Sequence, residues 1–246
     1  MKLTCLSTGS QQGNCYLLEH DVEVLILDCG IPIKAIKQGL NWDISKVVGC
    51  CVTHGHLDHA KSEKDIADMG INVCTPYIGV FGQIERMHAT YGKFEVNAFA
   101  LTDTKGNFKH TNSDGSECPC YGFLISHPYM GRLLYITDTE LVKWRFKNIN
   151  HILISCNYQK KFLEDENNGK RSHVLRGHME LETVKSFIEA NKSDSLKTVT
   201  LCHLSAENAD AEEMIAEVNK VTGNSVTVDY AAAGKRWDLR DDDCPF

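Results

Sequence analysis

The sequence predicts an α/β (α+β) fold, in which two β-sheets pack together and helices cover their outer faces. Short apolar segments typical of strands occur in both halves of the chain, and segments with helical periodicity are interleaved with them. No repeat or low-complexity linker separates the halves. At 246 residues and 42% hydrophobic content, the chain is long enough to bury a substantial core. We therefore expect one domain over residues 1–246, with a solvated tail at about 240–246.

The first part of the chain predicts three strands, a helix and a fourth strand. Apolar segments at residues 3–6, 15–18 and 22–27 are separated by turn-forming residues, which is typical of short strands. Residues 33–40 predict a short helix. The continuous apolar run at 46–53 is typical of a strand that is buried on both faces.

The rest of the chain alternates between the two kinds of element. We expect helices at residues 61–69, 78–91, 180–191 and 209–221. We expect strands at residues 71–75, 95–101, 121–126, 132–137, 151–156, 198–201 and 225–230. Residues 127–131 predict a hairpin-like connection.

Composition limits the function. No apolar stretch is long enough for a membrane span, and the N-terminal residues lack the pattern of a secretion signal, so we expect a cytoplasmic protein. The net charge of −7 argues against a surface that neutralises a long nucleic acid, but it is compatible with binding a small nucleotide. One local basic cluster, formed by Lys160, Lys161, Lys170, Arg171 and Arg176, predicts either a phosphate-binding segment or a solvated surface loop.

The eleven cysteines are scattered, several of them inside apolar runs, and this pattern indicates reduced core thiols. Cys118-Pro119-Cys120 and Cys50-Cys51 stand out because their thiols are close in sequence. Neither pair has the spacing of a zinc knuckle or a second matching pair, so a metal or redox role is the less favoured interpretation.

The segment from Thr53 to His59, with the sequence THGHLDH, carries the chemistry. Three histidines and an aspartate follow an apolar strand directly, and packing them without a cation would leave unpaired polar atoms that cost about 1 to 3 kcal/mol each. Imidazole and carboxylate groups are natural ligands of divalent metals. A turn can direct His54 and His56 to one ion, and Asp58 and His59 to a second.

Each ion needs further ligands from elsewhere in the chain. Asp138 and His203 each end an apolar strand, as the loop does, while His110 lies in a polar turn and His178 follows Gly177. His127 and His88 are alternatives to His110. An isolated histidine or aspartate at a strand end is usually a turn residue. These residues are therefore candidate metal ligands only because the loop from Thr53 to His59 already predicts a metal site.

Several blocks of the sequence, in the same order, resemble proteins of the metallo-β-lactamase fold over almost the whole chain. The loop resembles the His-X-His-X-Asp-His signature, and the branch that the chain looks most similar to is the YycJ-like (WalJ-like) group of bacterial and phage proteins, related to ribonuclease Z. The blocks are Ser7 to Ser10 with Gly13-Asn14, Leu27 to Gly30, Thr53 to His59, Tyr135 to Thr139, Asn157-Tyr158, Gly177 to Met179, and Cys202 to Ser205 with Asn208.

The resemblance implies a four-layer αβ/βα sandwich with two divalent ions, zinc or manganese, at the edges of the sheets. It implies that His54, His56 and His110 hold one ion, that Asp58, His59 and His203 hold the other, and that Asp138 bridges them. It also implies that Asp28 braces the loop. In the family, the histidine that corresponds to His110 is usually followed directly by an aspartate, whereas here Thr111 to Ser113 intervene before Asp114.

The expected activity is hydrolysis of a phosphodiester bond by a dinuclear centre that activates water. Asp58 would orient the water or accept its proton, and the resemblance implies that His178 protonates the leaving oxygen. Candidates for contacts to substrate phosphate are Asn157, Lys160, Lys161, Arg171 and Arg176.

Two substrates compete, and the protein could act as a homodimer. The resemblance to the YycJ-like branch implies a nuclease, while the net charge favours a small cyclic-nucleotide phosphodiesterase of the kind that phages use against host defence. A lactonase, a thioesterase and a binding module without activity are minor alternatives.

Overall fold

Two β-sheets form the centre of the structure, a computed structural model that describes residues 1–78, 86–163 and 177–240. The first sheet has six strands in the order β13-β1-β2-β3-β4-β5. These strands are β1 (Lys2–Ser7), β2 (Cys15–His20), β3 (Glu23–Leu27), β4 (Val47–Cys51), β5 (Val73–Cys74) and β13 (Arg236–Asp238). The first three strands are antiparallel, and β3, β4 and β5 are parallel.

The second sheet has seven strands in the order β12-β11-β10-β9-β8-β7-β6. They are β6 (Arg86–Tyr91), β7 (Phe94–Ala100), β8 (Tyr121–His127), β9 (Gly131–Ile136), β10 (His151–Ser155), β11 (Thr198–Cys202) and β12 (Thr227–Tyr230). Strands β6 to β9 form an antiparallel meander, whereas β9 to β12 are parallel to one another.

Helices cover the outer face of each sheet. Those in the described residues are α1 (Ile33–Gly39), α2 (Leu57–Ala60), α3 (Glu63–Asp68), α4 (Leu181–Asn191) and α5 (Ala211–Thr222). Apolar residues of α1 and α3 pack on the first sheet, and those of α4 and α5 pack on the second. A third apolar cluster lies between the sheets, where Tyr16 and Tyr135 meet edge to face at 5.8 Å. The expected four-layer sandwich is thereby confirmed.

The prediction of a helix at residues 78–91 is wrong in the part that the structure describes. Residues 86–91 form strand β6 and not the end of a helix at 78–91, and residues 79–85 lie outside the described part. Alternate residues of β6 are exposed and half-buried, which is the two-residue period of a strand at the edge of a sheet. The turn after Tyr91 places Gly92 at φ 55°, so that β6 and β7 form a tight hairpin.

The sequence pattern does not predict strand β13, because only Trp237 in its three residues is strongly apolar. It pairs with β1 and so brings the two ends of the described chain together. Residues 241–246, the greater part of the expected tail, lie outside the described residues. Each helix in the described part of the chain is too short or too polar to span a lipid bilayer.

The loop from Thr53 to His59 rests directly on the residues that follow β3. Cys29 N–H donates to the carbonyl of His59 at 2.7 Å, and Asn14 N–H donates to the carbonyl of Asp58 at the same distance. The two segments are so close that a β-carbon at Gly30 would lie 1.7 Å from the carbonyl oxygen of Asp58. Glycine at position 30 is therefore a steric requirement for placing this loop.

We predict that Gly30→Ala displaces the loop, because a methyl group and a carbonyl oxygen cannot be 1.7 Å apart. The variant should bind less than half of the divalent metal that the unsubstituted protein binds, and it should unfold at a lower urea concentration. Metal content after dialysis and urea titration followed by circular dichroism measure both effects.

Gly70→Ala is the control. Gly70 has φ 81°, and a β-carbon added there would meet no atom within 4 Å, so the substitution adds backbone strain of about 1 to 2 kcal/mol without a collision. Equal loss of metal in both variants would contradict the steric explanation.

Candidate metal centre

The polar side chains of the centre come from the ends of strands. Asp28 directly follows β3, His54 follows β4 by three residues, and Asp138 and His203 follow β9 and β11. Within each sheet the strands in question run in the same direction, so their carboxyl ends meet at one edge. The parallel topology thus brings residues that are far apart in sequence into one site.

Three of these residues have an unusual backbone conformation. Asp28, Asp138 and His203 have φ values of 55°, 46° and 54°, in the left-handed region that residues other than glycine seldom adopt. Such conformations cost of the order of 1 to 3 kcal/mol each and persist where surrounding contacts hold them. At all three positions the chain turns sharply at a strand end and directs the side chain inward.

His54, His56 and His110 form the first group of ligands. Their ligand atoms lie within 4.8 Å of one another. His56 Nδ1 and His110 Nε2 face each other at 2.9 Å, and His54 Nε2 is buried without a hydrogen-bond partner among the described residues. Nitrogen atoms that converge in this way form a site for a cation.

Asp58, His59 and His203 form the second group, and Asp138 lies between the two groups. The His59 Nε2 atom is 2.7 Å from Asp138 Oδ2 and 3.5 Å from Asp58 Oδ2. His203 Nε2 is 3.7 Å from each of these two carboxylates. Asp138 also reaches towards the first group, since its Oδ2 atom is 3.9 Å from His54 Nε2.

The electrostatics of the two groups differ. Burial lowers the pKa of His54 well below its usual value and that of His110 to about 4, so both imidazoles are neutral and able to bind metal. Burial alone would also lower the pKa of His59, but the carboxylates of Asp28 and Asp138 raise it well above the usual value. Burial opposes ionisation of Asp138, yet the charges of His203 and His59 hold its pKa well below the usual range.

The residues fit a pair of divalent ions. Besides His54 Nε2, the buried His203 Nε2 atom has no hydrogen-bond partner within the described ranges. Leaving such atoms unsatisfied is costly, whereas a cation would satisfy them together. The buried carboxylates of Asp28 and Asp138 that flank His59 likewise require positive charge. Nitrogen and oxygen donors of this kind suit zinc and manganese.

A buried carboxylate, Asp28, holds the loop in place. Its Oδ1 atom accepts a hydrogen bond from Thr53 N–H at 2.8 Å, and its Oδ2 atom lies 2.7 Å from His59 Nδ1. The Tyr135 hydroxyl donates to Oδ2 at 2.5 Å from the opposite sheet. Fixing the far nitrogen of His59 leaves Nε2 directed towards Asp138, as expected of a residue that braces a metal ligand.

Three asparagines contact ring nitrogens of the candidate ligands. Asn14 Nδ2 lies 3.0 Å from His59 Nε2, Asn112 Oδ1 lies 3.1 Å from His56 Nε2, and Asn157 Nδ2 lies 2.7 Å from His203 Nδ1. The sequence predicts a contact between Asn157 and substrate phosphate. Asn157 lines a cleft above the centre, and its amide group also contacts His203 Nδ1 and accepts a hydrogen bond from Met179 N–H. Sequence reasoning assigned no role to Asn14 or Asn112. The sequence signals that could have identified them are their positions: Asn14 directly follows Gly13, and Asn112 lies two residues after His110.

His178 lies beside the centre. Its Nδ1 atom is 3.1 Å from Asp138 Oδ1, and its side chain is partly exposed to solvent. Gly177 precedes it at φ 79°, packed so closely that a β-carbon would lie 2.5 Å from His110 Nδ1. The Gly177 N–H group donates to Glu140 Oε1 at 3.0 Å. Glycine at 177 therefore allows His178 to approach the histidine ligands.

The two lysine candidates lie away from the centre. Lys161 forms an ion pair with Glu213, and Lys160 is exposed in the turn at 160–163. Neither lines the cleft above the centre. Arg171 and Arg176 lie outside the described residues.

The two alternatives to His110 are both away from the candidate ligands. His127 packs against Phe94 and His20, and His88 contacts Asn97 on the exposed edge of the second sheet.

A cleft of about 320 Å³ opens above the centre. Its floor is formed by polar side chains of the two ligand groups together with His178. Its walls are residues 9–12 and 204–208. Among the described residues that line it, none is a lysine or an arginine.

Comparison with known proteins identifies the fold. Residues 8–66 match the sequence model of the metallo-beta-lactamase superfamily. The structure is similar to that of the metallo-beta-lactamase fold protein YhfI from Bacillus subtilis, with a TM-score of 0.66 and 15% identity, over 96% of this chain and 98% of that one. The chain has the metallo-β-lactamase fold.

Two further solved structures share the fold. Human tRNase Z, short form, aligns with a TM-score of 0.56 and 11% identity over 97% of this chain and 99% of that one. Yeast PDE1 aligns with a TM-score of 0.60 and 11% identity over 96% and 98%. No curated protein matches the sequence. At these identities the likeness establishes the fold alone. The clusters of histidine and aspartate that could bind metal ions are a feature of this structure itself.

We predict that Asp28→Asn weakens metal binding by about 10- to 100-fold, because an amide cannot accept the hydrogen bonds of Thr53, His59 and Tyr135 at once. Competition with a fluorescent chelator measures the affinity. Asp229→Asn is the matched control. Asp229 also accepts hydrogen bonds, from Lys235 and Trp237, but it lies on strand β12, which supplies no candidate ligand. An unchanged affinity in Asp28→Asn would show that the brace is dispensable.

We also predict that removal of metal destabilises the fold. Ions that bind only the folded state stabilise it by about 2.7 kcal/mol at a concentration 100 times the dissociation constant. Calorimetry with a chelator, and again after zinc or manganese is restored, should show a lower midpoint of thermal unfolding that recovers. If the midpoint of thermal unfolding changes neither with the chelator nor after metal is restored, ions do not bind these ligands in the folded state.

Proposed function

We propose that the protein is a dinuclear metal-dependent phosphodiesterase that acts on nucleic acid or nucleotides. One observation carries the proposal: two groups of ligands, four of the six buried, share Asp138 at the floor of an open cleft, with His178 beside them. Two divalent ions at such a centre would lower the pKa of water and stabilise the negative charge that develops on phosphorus. His54, His56 and His110 would hold one ion, and Asp58, His59 and His203 the other.

The chain's own residues have separate tasks in this reaction. Asp58 is partly exposed to the cleft and close to both His59 and His203, so it can orient a water molecule and accept its proton. His178 is partly exposed on the same cleft, and Asp138 Oδ1 orients its ring. A histidine there can donate a proton to the leaving oxygen when the phosphodiester bond breaks.

Zinc is the metal we propose, with manganese as the alternative. The candidate ligands are histidine nitrogens and carboxylate oxygens, which both ions accept. No cysteine lies in the loop that supplies four of the ligands.

A nucleic acid is the first candidate substrate. The sequence blocks resemble the YycJ-like branch, for which a nuclease activity is implied, and human tRNase Z is among the proteins of similar structure. We propose that the chain belongs to this branch. Lys160, Lys161, Arg171 and Arg176 would then contact the phosphates of the strand, although Lys161 is paired with Glu213 in the structure.

A small cyclic nucleotide is the second candidate, and two features of the cleft favour it. The volume of about 320 Å³ lies at the lower end of small-molecule sites, and no lysine or arginine appears among the described residues lining it. A polyanionic strand would need additional cationic contacts. A yeast protein called PDE1 is also of similar structure.

The decisive experiment incubates the zinc- or manganese-loaded protein with end-labelled DNA, end-labelled RNA and a panel of cyclic nucleotides. Hydrolysis of the labelled strands would support the first candidate. A rate confined to cyclic nucleotides would exclude the nuclease. If the metal-loaded protein cleaves no phosphodiester, including a chromogenic one, the proposed function is wrong.

We predict that His178→Ala lowers kcat by about 10²- to 10⁴-fold on substrates with a poor leaving group, because it removes the proton donor. Metal content should stay the same, and the deficit should shrink for a nitrophenyl ester, whose leaving oxygen needs no proton. His88→Ala is the control, since His88 is a histidine on β6 at the edge of the second sheet, away from the centre. Full turnover by His178→Ala on all substrates would remove His178 from the mechanism.

A further inference from the structure

The motif Cys118-Pro119-Cys120 has no part in the proposed hydrolysis, yet it lies against the metal centre. Both cysteines are buried, with exposed fractions of 4% and 1%. The backbone fixes them on two sides: Cys118 N–H donates to the carbonyl of His110 at 2.9 Å, and Leu101 N–H donates to the carbonyl of Cys120 at 2.9 Å. Their thiols are therefore held at defined positions.

The two thiols converge on His54. The sulfur atoms of Cys118 and Cys120 and a ring nitrogen of His54 all lie within 4.8 Å of one another. The Cys118 thiol also contacts the ring of His56. Of the groups of three ligating side chains in the described ranges, this one alone contains cysteine.

Other neighbouring thiols lack this arrangement. Cys51 and Cys74 are partners on adjacent strands β4 and β5, and their thiols are in contact. Within the described residues no histidine or carboxylate joins them to make a group of three ligands. Contact between two thiols is therefore not sufficient for a site, and the histidine distinguishes the Cys118 pair.

His54 has one nitrogen available to a metal. Its Nδ1 atom lies 3.1 Å from the hydroxyl oxygen of Thr53, while Nε2 is buried without a hydrogen-bond partner among the described residues. The same nitrogen would serve the group with His56 and His110. An ion held by the thiols and an ion held by the histidines would consequently compete for His54.

We propose that His54, Cys118 and Cys120 form a second, thiolate-containing site, which shares His54 with the histidine group, for a thiophilic divalent ion such as zinc or cadmium. Two sulfurs and one nitrogen supply three positions of a tetrahedral zinc site, and water can complete it. Each thiol releases its proton to solvent as its sulfur binds the ion, so the thiolates neutralise the ion's charge. Manganese prefers oxygen and nitrogen ligands and would stay in the histidine and carboxylate centre.

If this site exists, the identity of the metal affects how many ligands remain for the dinuclear centre. A thiophilic ion that takes His54 removes one ligand from the dinuclear centre, whereas manganese does not. The occupancy of the centre would then depend on which ion is in excess. This inference does not depend on the proposed hydrolysis, since binding to thiolates is measured by spectroscopy.

Cadmium titration of the purified protein tests the proposal, because cadmium bound to thiolate has an ultraviolet charge-transfer band. We expect the unsubstituted protein to develop this band with the intensity of two thiolates per ion. The band should be lost in the double variant C118A/C120A. It should persist in C51A/C74A, the matched control, which removes two contacting buried thiols that join no group of three ligands in the described ranges.

A band of equal intensity in C118A/C120A, or cadmium binding to the unsubstituted protein without any band, would overturn the proposal. Crystals of the unsubstituted protein soaked in cadmium provide a measurement that does not depend on the folding of a variant. An anomalous scattering peak between His54, Cys118 and Cys120 would support the site. Peaks confined to the histidine and carboxylate ligands would refute it.

Discussion

The carboxylate of Asp28 is the interaction on which the rest of the site depends. It is fully buried at the end of a strand of the first sheet, and it contacts Thr53, His59 and Tyr135 at once. Tyr135 belongs to the second sheet, so this one group joins both sheets to the metal-binding loop. A buried carboxylate is tolerated only when its hydrogen bonds are satisfied, and here each of those bonds also positions a part of the centre.

The centre combines strain and unbalanced charge in a way that a cation resolves. Asp138 and His203 adopt left-handed backbone conformations at the ends of buried strands, and His203 Nε2 has no hydrogen-bond partner among the described residues. His59 lies between the carboxylates of Asp28 and Asp138, and an ion bound at its Nε2 atom would supply the positive charge that they require. The fold thus keeps a cluster of polar groups that would be unfavourable in an ordinary core, as is typical of functional sites.

The surroundings of the centre differ from one side to the other. On the cleft side, the described wall residues carry no lysine or arginine, so the attraction for a phosphate would come from ions at the floor. On the inner side, the Cys118 thiol contacts His56, and the sulfur atoms of Cys118 and Cys120 lie within 4.8 Å of a ring nitrogen of His54. Hard oxygen ligands and soft sulfur ligands therefore approach the same cluster from different directions, with His54 between them.

The sequence by itself determined the loop from Thr53 to His59, because its four ligating residues fall within six positions and follow a continuous apolar run that indicates a buried strand. It also predicted the four-layer sandwich and the placement of Asp138 and His203 at strand ends. Only the tertiary structure decided that residues 86–91 form a strand, since that choice depends on pairing with the neighbouring strand β7. Likewise, contacts between residues distant in the chain, such as Asp28 with Tyr135, arise from how the two sheets pack, and local sequence carries no record of that packing.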